Sequence, residues 1–213
     1  MLTIHHLGIS QSERIIWLCE ELAIPYDLKI YTRDATTRLA PPEYKALHPL
    51  GTAPIITDGA VTLAESGAII EYVIRKYGGG RLIPDAGDPG FADYLFWFHA
   101  ANGSLMQAEM VRMFAAVFDA PPDNPALKSV TGRADLIYRM MEDQLGKGAF
   151  LAGDSFTAAD IITFFALTTM RAFAPRDFAV LPNIRAYMQR IGARPAYRRA
   201  MAKGDPDMAL LLE

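Results

Sequence analysis

Over the first third of the chain, apolar positions switch between strand-like and helix-like spacing at short intervals. Leu2 to His6 alternates weakly and predicts a strand, which Gly8-Ile9-Ser10 breaks. Ile15, Ile16, Leu18, Cys19 and Leu22 then share one face of a helix expected from about Gln11 to Ala23. Ile24-Pro25 ends it, and Tyr26 to Tyr31 reads as a second strand. Strand, helix and strand on short links make a βαβ unit, so these two strands should be parallel. Residues 32 to 50 are polar and proline-rich, with room for one helical turn around Glu43 to Leu47. Ile55-Ile56, Asp58-Gly59 and Val61 to Leu63 predict a hairpin with a type I′ turn. Ser66 predicts the cap of a helix striped by Ile69, Ile70, Val73 and Ile74 and ending near Tyr77. The pattern is β-α-β, a loop, then β-β-α, a small mixed sheet with helices on its faces.

Gly78-Gly79-Gly80 stops that helix, and beyond it strand patterns disappear. Phe91 to Phe118 predicts one long helix with an aromatic and methionine stripe, and Asp123 or Asn124 opens another that runs to about Gly146. Thr157-Ala-Ala-Asp160 is a capping box ahead of Ile161 to Phe173, apolar on every side and so expected at the centre of a bundle. Pro182 and Pro195 each stand where a proline starts a helix. The expected organisation is an α/β domain over residues 1–79, a linker over 80–88, and an all-helical domain over 89–213.

An apolar share of 51% with 21% charged residues is that of an ordinary globular protein. A net charge of −3 gives no electrostatic case for nucleic acid or an anionic membrane. No apolar run is long enough to span a bilayer and no signal peptide is visible, so a cytoplasmic protein is expected. One cysteine excludes an internal disulfide and a CxxC pair. Four histidines without matched carboxylate spacing predict no metal; the adjacent His5 and His6 point to opposite faces of their strand and cannot chelate together.

Chemistry concentrates at residues 51–66. Pro54 forces Ala53 to be extended, and an extended Ala53 can offer its N–H and C=O to a visiting peptide. Glu65-Ser66 lies at a helix start, where free N–H groups and the dipole favour a carboxylate. The same residues read equally well as a hairpin, a turn and a cap.

His48-Pro-Leu-Gly-Thr-Ala-Pro54, Leu63-Ala-Glu-Ser-Gly-Ala-Ile-Ile-Glu-Tyr72 and Phe150-Leu-Ala-Gly-Asp-Ser-Phe-Thr-Ala-Ala-Asp160 resemble, in that order, three motifs of the soluble glutathione S-transferase superfamily, in its bacterial-type, serine-using, theta/delta/phi-like form. The resemblance covers nearly the whole chain. It implies a thioredoxin-like N-terminal domain (βαβ-ββα), an all-α helical-bundle C-terminal domain, glutathione as co-substrate, a homodimer and a detoxifying conjugation. It implies a cis Pro54, Ala53 pairing its backbone with the cysteinyl part of glutathione, and Glu65 and Ser66 on the γ-glutamyl group. Thr52 stands where many members carry a lysine for the glycyl carboxylate, which leaves that end to His48, Arg38 or little else. His48 replaces the more usual asparagine and also reads as a group bonding loop backbone.

Glutathione attacks as its thiolate, and an unperturbed thiol has a pKa of about 8.5, so it needs a donor to the sulfur. Serine-using members place that hydroxyl between the first strand and the first helix, where Ser10 stands. Ser10-Gln-Ser-Glu13 is also a capping box, and Ser12 is a rival donor. The first strand has no tyrosine for the tyrosine-using route, and Cys19 lies well inside its helix as a buried cysteine would. Ile9, Met106, Met110, Met113 and Phe114 are expected to form an apolar electrophile pocket, flexible methionine suiting varied shapes. Asn102 stands where close relatives carry an acid that reaches the γ-glutamyl group across the dimer. The expected reaction is addition of the thiolate to small apolar electrophiles; a glutathione-dependent peroxidase or isomerase, or a non-catalytic binding module on the same fold, remains open.

Overall fold

In the computed structural model, which describes residues 1–213, strand β1 (Leu2–Leu7) is buried on both faces because it lies inside a four-stranded sheet. The sheet order is β2-β1-β3-β4, with β2 (Asp27–Tyr31), β3 (Ile55–Asp58) and β4 (Val61–Ala64). β1 runs parallel to β2 and antiparallel to β3, as the βαβ pattern requires. One face packs Leu7, Tyr31, Tyr44, Ile55 and Ala64, with Tyr44 supplied by the short helix α2 (Pro42–Lys45). Against the other lie the apolar stripes of α1 (Glu13–Leu22) and α3 (Ser66–Lys76), with Ile15, Ile16, Leu18, Ile69, Ile70, Val73 and Ile74 all buried.

Asp58 pairs with Val61, so the hairpin loop is Gly59-Ala60, one residue past the expected Asp58-Gly59. Gly59 alone takes a positive φ, of 60°, which is the type II′ pattern with glycine at the first loop position and not type I′. Asp58, released from the turn, accepts from Tyr72 Oη at 2.9 Å, Lys76 Nζ at 2.6 Å and Tyr77 Oη at 2.5 Å. Ser66 is the first helical residue of α3 and not its cap; Glu65 takes the cap position.

The chain forms two compact units: Met1–Arg81 with Ala193–Ala209, and Leu82–Gly192 with Leu210–Glu213. Helix α9 (Pro195–Gly204) therefore belongs to the first unit, although the sequence pattern counts it with the helical region. It packs on α1: Trp17 and Tyr197 meet edge-on at 5.0 Å, and Arg194 grips both oxygens of Glu21 at 2.6 and 2.8 Å.

The second unit is entirely helical. The expected single helix from Phe91 is α4 (Phe91–Ala100), a π-helical segment (Ala101–Leu105) that holds Asn102, and α5 (Met106–Val117). α6 (Pro125–Leu145) starts on an Asn124 cap, whose side chain accepts from the Ala126 and Leu127 N–H groups. Every residue of α7 (Ala158–Leu167) is buried, as its all-round apolarity requires. Asp160 accepts the Thr157 N–H at 2.8 Å, and α7 gives way to a 3₁₀ turn at Thr169–Ala172. α8 (Pro182–Gly192) follows, and Gln189 there donates to Leu212 O at 2.9 Å, which ties down the tail. No helix is long and apolar enough to cross a membrane.

Candidate active site

The loop between β1 and α1 is held in a costly conformation. Ile9 has φ of 52°, in the left-handed region that a β-branched residue rarely enters. Three contacts hold it there: its N–H donates to Asp205 Oδ1 at 2.8 Å, and Arg33 donates to Gly8 O at 2.9 Å and to Ile9 O at 3.2 Å. Gly8 N–H adds a bond to Tyr31 O at 3.1 Å. Strain of this kind costs on the order of 1–3 kcal/mol and persists only where the surroundings impose it.

The residue presented by that loop is Ser10, which is 6% exposed. Its Oγ lies 2.7 Å from Ser12 Oγ, and Ser12 Oγ lies 2.8 Å from His6 Nδ1. On the far side of the ring, His6 Nε2 stands 3.1 Å from Asp205 Oδ2; the two are off the line of a hydrogen bond, and neither has another partner. His6 and Ser12 are fully buried. Ser12 occupies the cap position of α1 but its side chain makes no capping bond. Both serine hydroxyls of Ser10-Gln-Ser-Glu13 join this chain of contacts, with longer backbone bonds from Ser12 N–H to Ser10 Oγ at 3.3 Å and from Ser12 Oγ to Leu7 O at 3.5 Å. His5 points to the opposite face, with Tyr31 Oη at 2.9 Å and Thr57 Oγ1 at 3.0 Å.

A second cluster lies in the same unit. The Ala53–Pro54 bond is cis, Pro54 is buried, and no backbone partner takes the N–H or C=O of Ala53. Glu65 is exposed with φ of 73°, and Ser66 behind it is 2% exposed. Ser66 Oγ accepts from Arg14 Nη1 at 3.1 Å, and the same nitrogen donates to Gln11. Burial pushes the Arg14 guanidinium down to about 9, which leaves it charged at neutral pH beneath the start of α3. His48 Nδ1 accepts the Leu50 N–H at 3.2 Å, and Thr52 is exposed. Arg38 lines, with Ile9, Tyr31, Arg33, Asp205 and Met208, a cavity of about 340 Å³.

Of the residues expected to form the electrophile pocket, Ile9 belongs to the first unit and the other four to the second. Met106 is buried in the helical core, Met110 and Met113 are half-buried, and Phe114 is exposed and stacked on Phe118 at 6.0 Å. Burial pushes the Cys19 thiol up to about 12, the state of an inert buried cysteine. His6, Arg14, Arg33 and Asp205 escape the sequence reading. Arg14 had a signal, a cation amid the apolar stripe of α1. Asp205 had none, since it reaches Ile9 across 196 positions.

The chain matches the glutathione S-transferase N-terminal domain over residues 10–76 and the glutathione S-transferase C-terminal domain over residues 104–195. It is 33% identical to glutathione S-transferase 3 of Schizosaccharomyces pombe, over 95% of this chain and 88% of that protein. A crystal structure of a glutathione S-transferase from Actinobacillus pleuropneumoniae superposes with a TM-score of 0.86 at 31% identity, covering 98% of this chain and 97% of the other. A glutathione transferase family member from Pseudomonas fluorescens, with two glutathione bound, superposes at 0.79 with 21% identity over 94% and 92% of the two chains. With both domains matched in order and a relative this similar over nearly its full length, the chain belongs to the glutathione S-transferase family.

Proposed function

We propose that the protein binds glutathione along the cis-Pro54 loop and the start of α3 and adds its thiolate to small apolar electrophiles. The observation that carries this reading is Ser10: a hydroxyl at the head of α1, set by a strained loop, 2.7 Å from Ser12 Oγ and held to the helix only by a long bond from the Ser12 N–H at 3.3 Å. Donated to the glutathione sulfur, that hydroxyl favours the thiolate, and each pKa unit of lowering is worth about 1.4 kcal/mol. Ala53 offers its unpaired backbone to the cysteinyl peptide, Glu65 takes the γ-glutamyl amino group, and Ser66 takes the γ-glutamyl carboxylate. Arg14 supplies a buried positive charge under that carboxylate. Thr52 stands at the glycyl end without a lysine's charge, which leaves that end to His48, Arg38 or little else. Within the helical unit, the half-buried Met110 and Met113 with the exposed Phe114 offer apolar surface to the electrophile, and the working species is a cytoplasmic homodimer. Catalysis of this kind is positioning plus thiol activation.

Calorimetric titration of glutathione into wild-type and Glu65→Ala/Ser66→Ala protein, followed by a chlorodinitrobenzene conjugation rate, tests the reading. Micromolar to low-millimolar binding that the double variant loses, with turnover in the wild type, is expected. No binding at millimolar glutathione removes it.

A further inference from the structure

Hydrogen bonds lead from the proposed thiolate donor Ser10 through Ser12 to His6, whose far nitrogen stands 3.1 Å from the Asp205 carboxylate, and they have a direction problem. A hydroxyl carries one proton. If His6 is neutral with its proton on Nε2 facing Asp205, Nδ1 is an acceptor: Ser12 donates to it, and Ser10 donates to Ser12. Ser10 then has no proton for a sulfur and can only accept one. If Nδ1 carries a proton, the bonds reverse: His6 donates to Ser12, Ser12 donates to Ser10 at 2.7 Å in preference to Leu7 O at 3.5 Å, and the Ser10 hydrogen points outward.

We propose that His6 is the resting place of the glutathione thiol proton, which reaches it through Ser10 and Ser12, and that Asp205 stabilises the imidazolium so formed. The proposal rests on the reading of Ser10 as the thiolate donor. In the starting arrangement the thiol S–H donates to Ser10 Oγ. As the S–H bond breaks, its proton goes to Ser10 Oγ, the Ser10 proton to Ser12 Oγ, and the Ser12 proton to His6 Nδ1. The products are a thiolate, two intact hydroxyls with reversed bonds, and an imidazolium beside the Asp205 carboxylate. One transfer both ionises the sulfur and turns the Ser10 donor toward it. His6 and Asp205 act through the serines and are positioning residues.

The surroundings suit a charge that appears only in the liganded state. The ring is fully buried, and Asp205 Oδ2 has no other partner. Gly204 lies against the ring, where a Cβ would stand 3.2 Å from Nε2 and crowd it, so glycine there suits the close approach of Asp205. The other charged group at the loop is Arg33 of the segment after β2, which bonds Gly8 O and Ile9 O and feels the Asp205 charge. α1 offers the ring the neutral Ser12 hydroxyl, and the β2 residue paired with His6 is Ile30. His5, with Lys29 near it, faces the other side of the sheet.

Nitrogen-15 spectra of the His6 ring in the full-length wild-type protein at fixed neutral pH test this. Glutathione and S-methylglutathione, which has no thiol proton, are the two probes. The expected result is a neutral ring that becomes imidazolium with glutathione and stays neutral with S-methylglutathione. A ring that glutathione leaves unchanged, neutral or already charged, overturns the relay while the glutathione site stands. Failure of both probes to bind overturns the site, and the relay with it. In His6→Gln and Asp205→Asn, the pH profile of kcat/KM and the ultraviolet thiolate band should move up together by about one pH unit, a tenfold loss at neutral pH. A fall in activity without that displacement marks a merely structural role.

Discussion

Two helix starts carry the same signature and use it differently. Thr157-Ala-Ala-Asp160 in the helical unit forms the box that it spells: Asp160 takes the Thr157 N–H at 2.8 Å, and its other oxygen takes the Leu151 N–H at 3.1 Å and the Tyr187 hydroxyl at 2.9 Å. Ser10-Gln-Ser-Glu13 in the sheet unit spells a box too, yet its hydroxyls turn toward each other and His6. The first arrangement spends its polar groups on the backbone and gains stability. The second ties its hydroxyls mainly to each other and to His6, with only long backbone bonds, Ser12 N–H to Ser10 Oγ at 3.3 Å and Ser12 Oγ to Leu7 O at 3.5 Å, beside the strained Ile9. A capping signature whose hydroxyls turn mainly to other side chains is therefore a better pointer to a candidate site than one given mainly to the backbone.

The largest effect should come from breaking the box that is formed. Asp160→Ala strands two buried N–H groups and two hydroxyls, and each unpaired buried group costs about 1–3 kcal/mol. Denaturant unfolding should lose several kcal/mol in total, while the molecules that remain folded keep their kcat. A loss below about 1 kcal/mol would mean that the box is ornamental.

Ser10→Ala should invert that profile. It gives up only one long backbone bond, from the Ser12 N–H at 3.3 Å, so its stability should stay within about 1 kcal/mol of the wild type. Removal of one donor at a developing charge typically costs about 10²–10³ in rate, and kcat/KM for chlorodinitrobenzene should fall toward that range with glutathione binding retained. Ser12→Ala keeps the Ser10 hydroxyl but cuts it from His6, so its loss of rate should be smaller. A Ser12 effect larger than the Ser10 effect would make Ser12 the donor.

The same contrast explains what could be read in advance. Local signals were legible: the β1–β2 parallel pair, the burial of α7, a helix start at Asp123 or Asn124, and the helix starts at Pro182 and Pro195 all follow from residues within a few positions of each other. The break of the long helix at Ala101–Leu105 was not, because π and α turns share the same apolar spacing over five residues. Nor was the return of α9 to the sheet unit, which depends on Trp17 meeting Tyr197 and Glu21 meeting Arg194 across long sequence separations. Pro54, Glu65 and Ser66 could be proposed because ordered motifs carry them, and Ser10 because it stands between the first strand and the first helix. His6 and Asp205 could not, since a buried histidine in a strand looks like core until the group behind it is known.

The smallest expected effect separates two buried carboxylates by pH. Burial pushes Asp160 up to about 6, against the pull of the Thr157 and Leu151 N–H groups, whereas the Lys76 ammonium and the Tyr77 and Tyr72 hydroxyls hold Asp58 down at about 2. Both start from an ordinary value of 3.8 in the unfolded chain. For Asp58 the folded state holds its proton less tightly than the unfolded chain, so its contribution is complete above about 4 and fades as pH falls toward 2. Asp160 has the opposite sign: the folded state binds the proton more tightly, so its contribution is complete below about 4 and fades as pH rises through 6. Unfolding free energy measured against pH should lose its rise over the lower window in Asp58→Asn and its decline over the upper window in Asp160→Asn. Because the windows meet only near 4, each variant should leave the other slope intact. A single variant that flattened both would show that the two units do not titrate independently, and the contrast between their polar networks would fail at its simplest level.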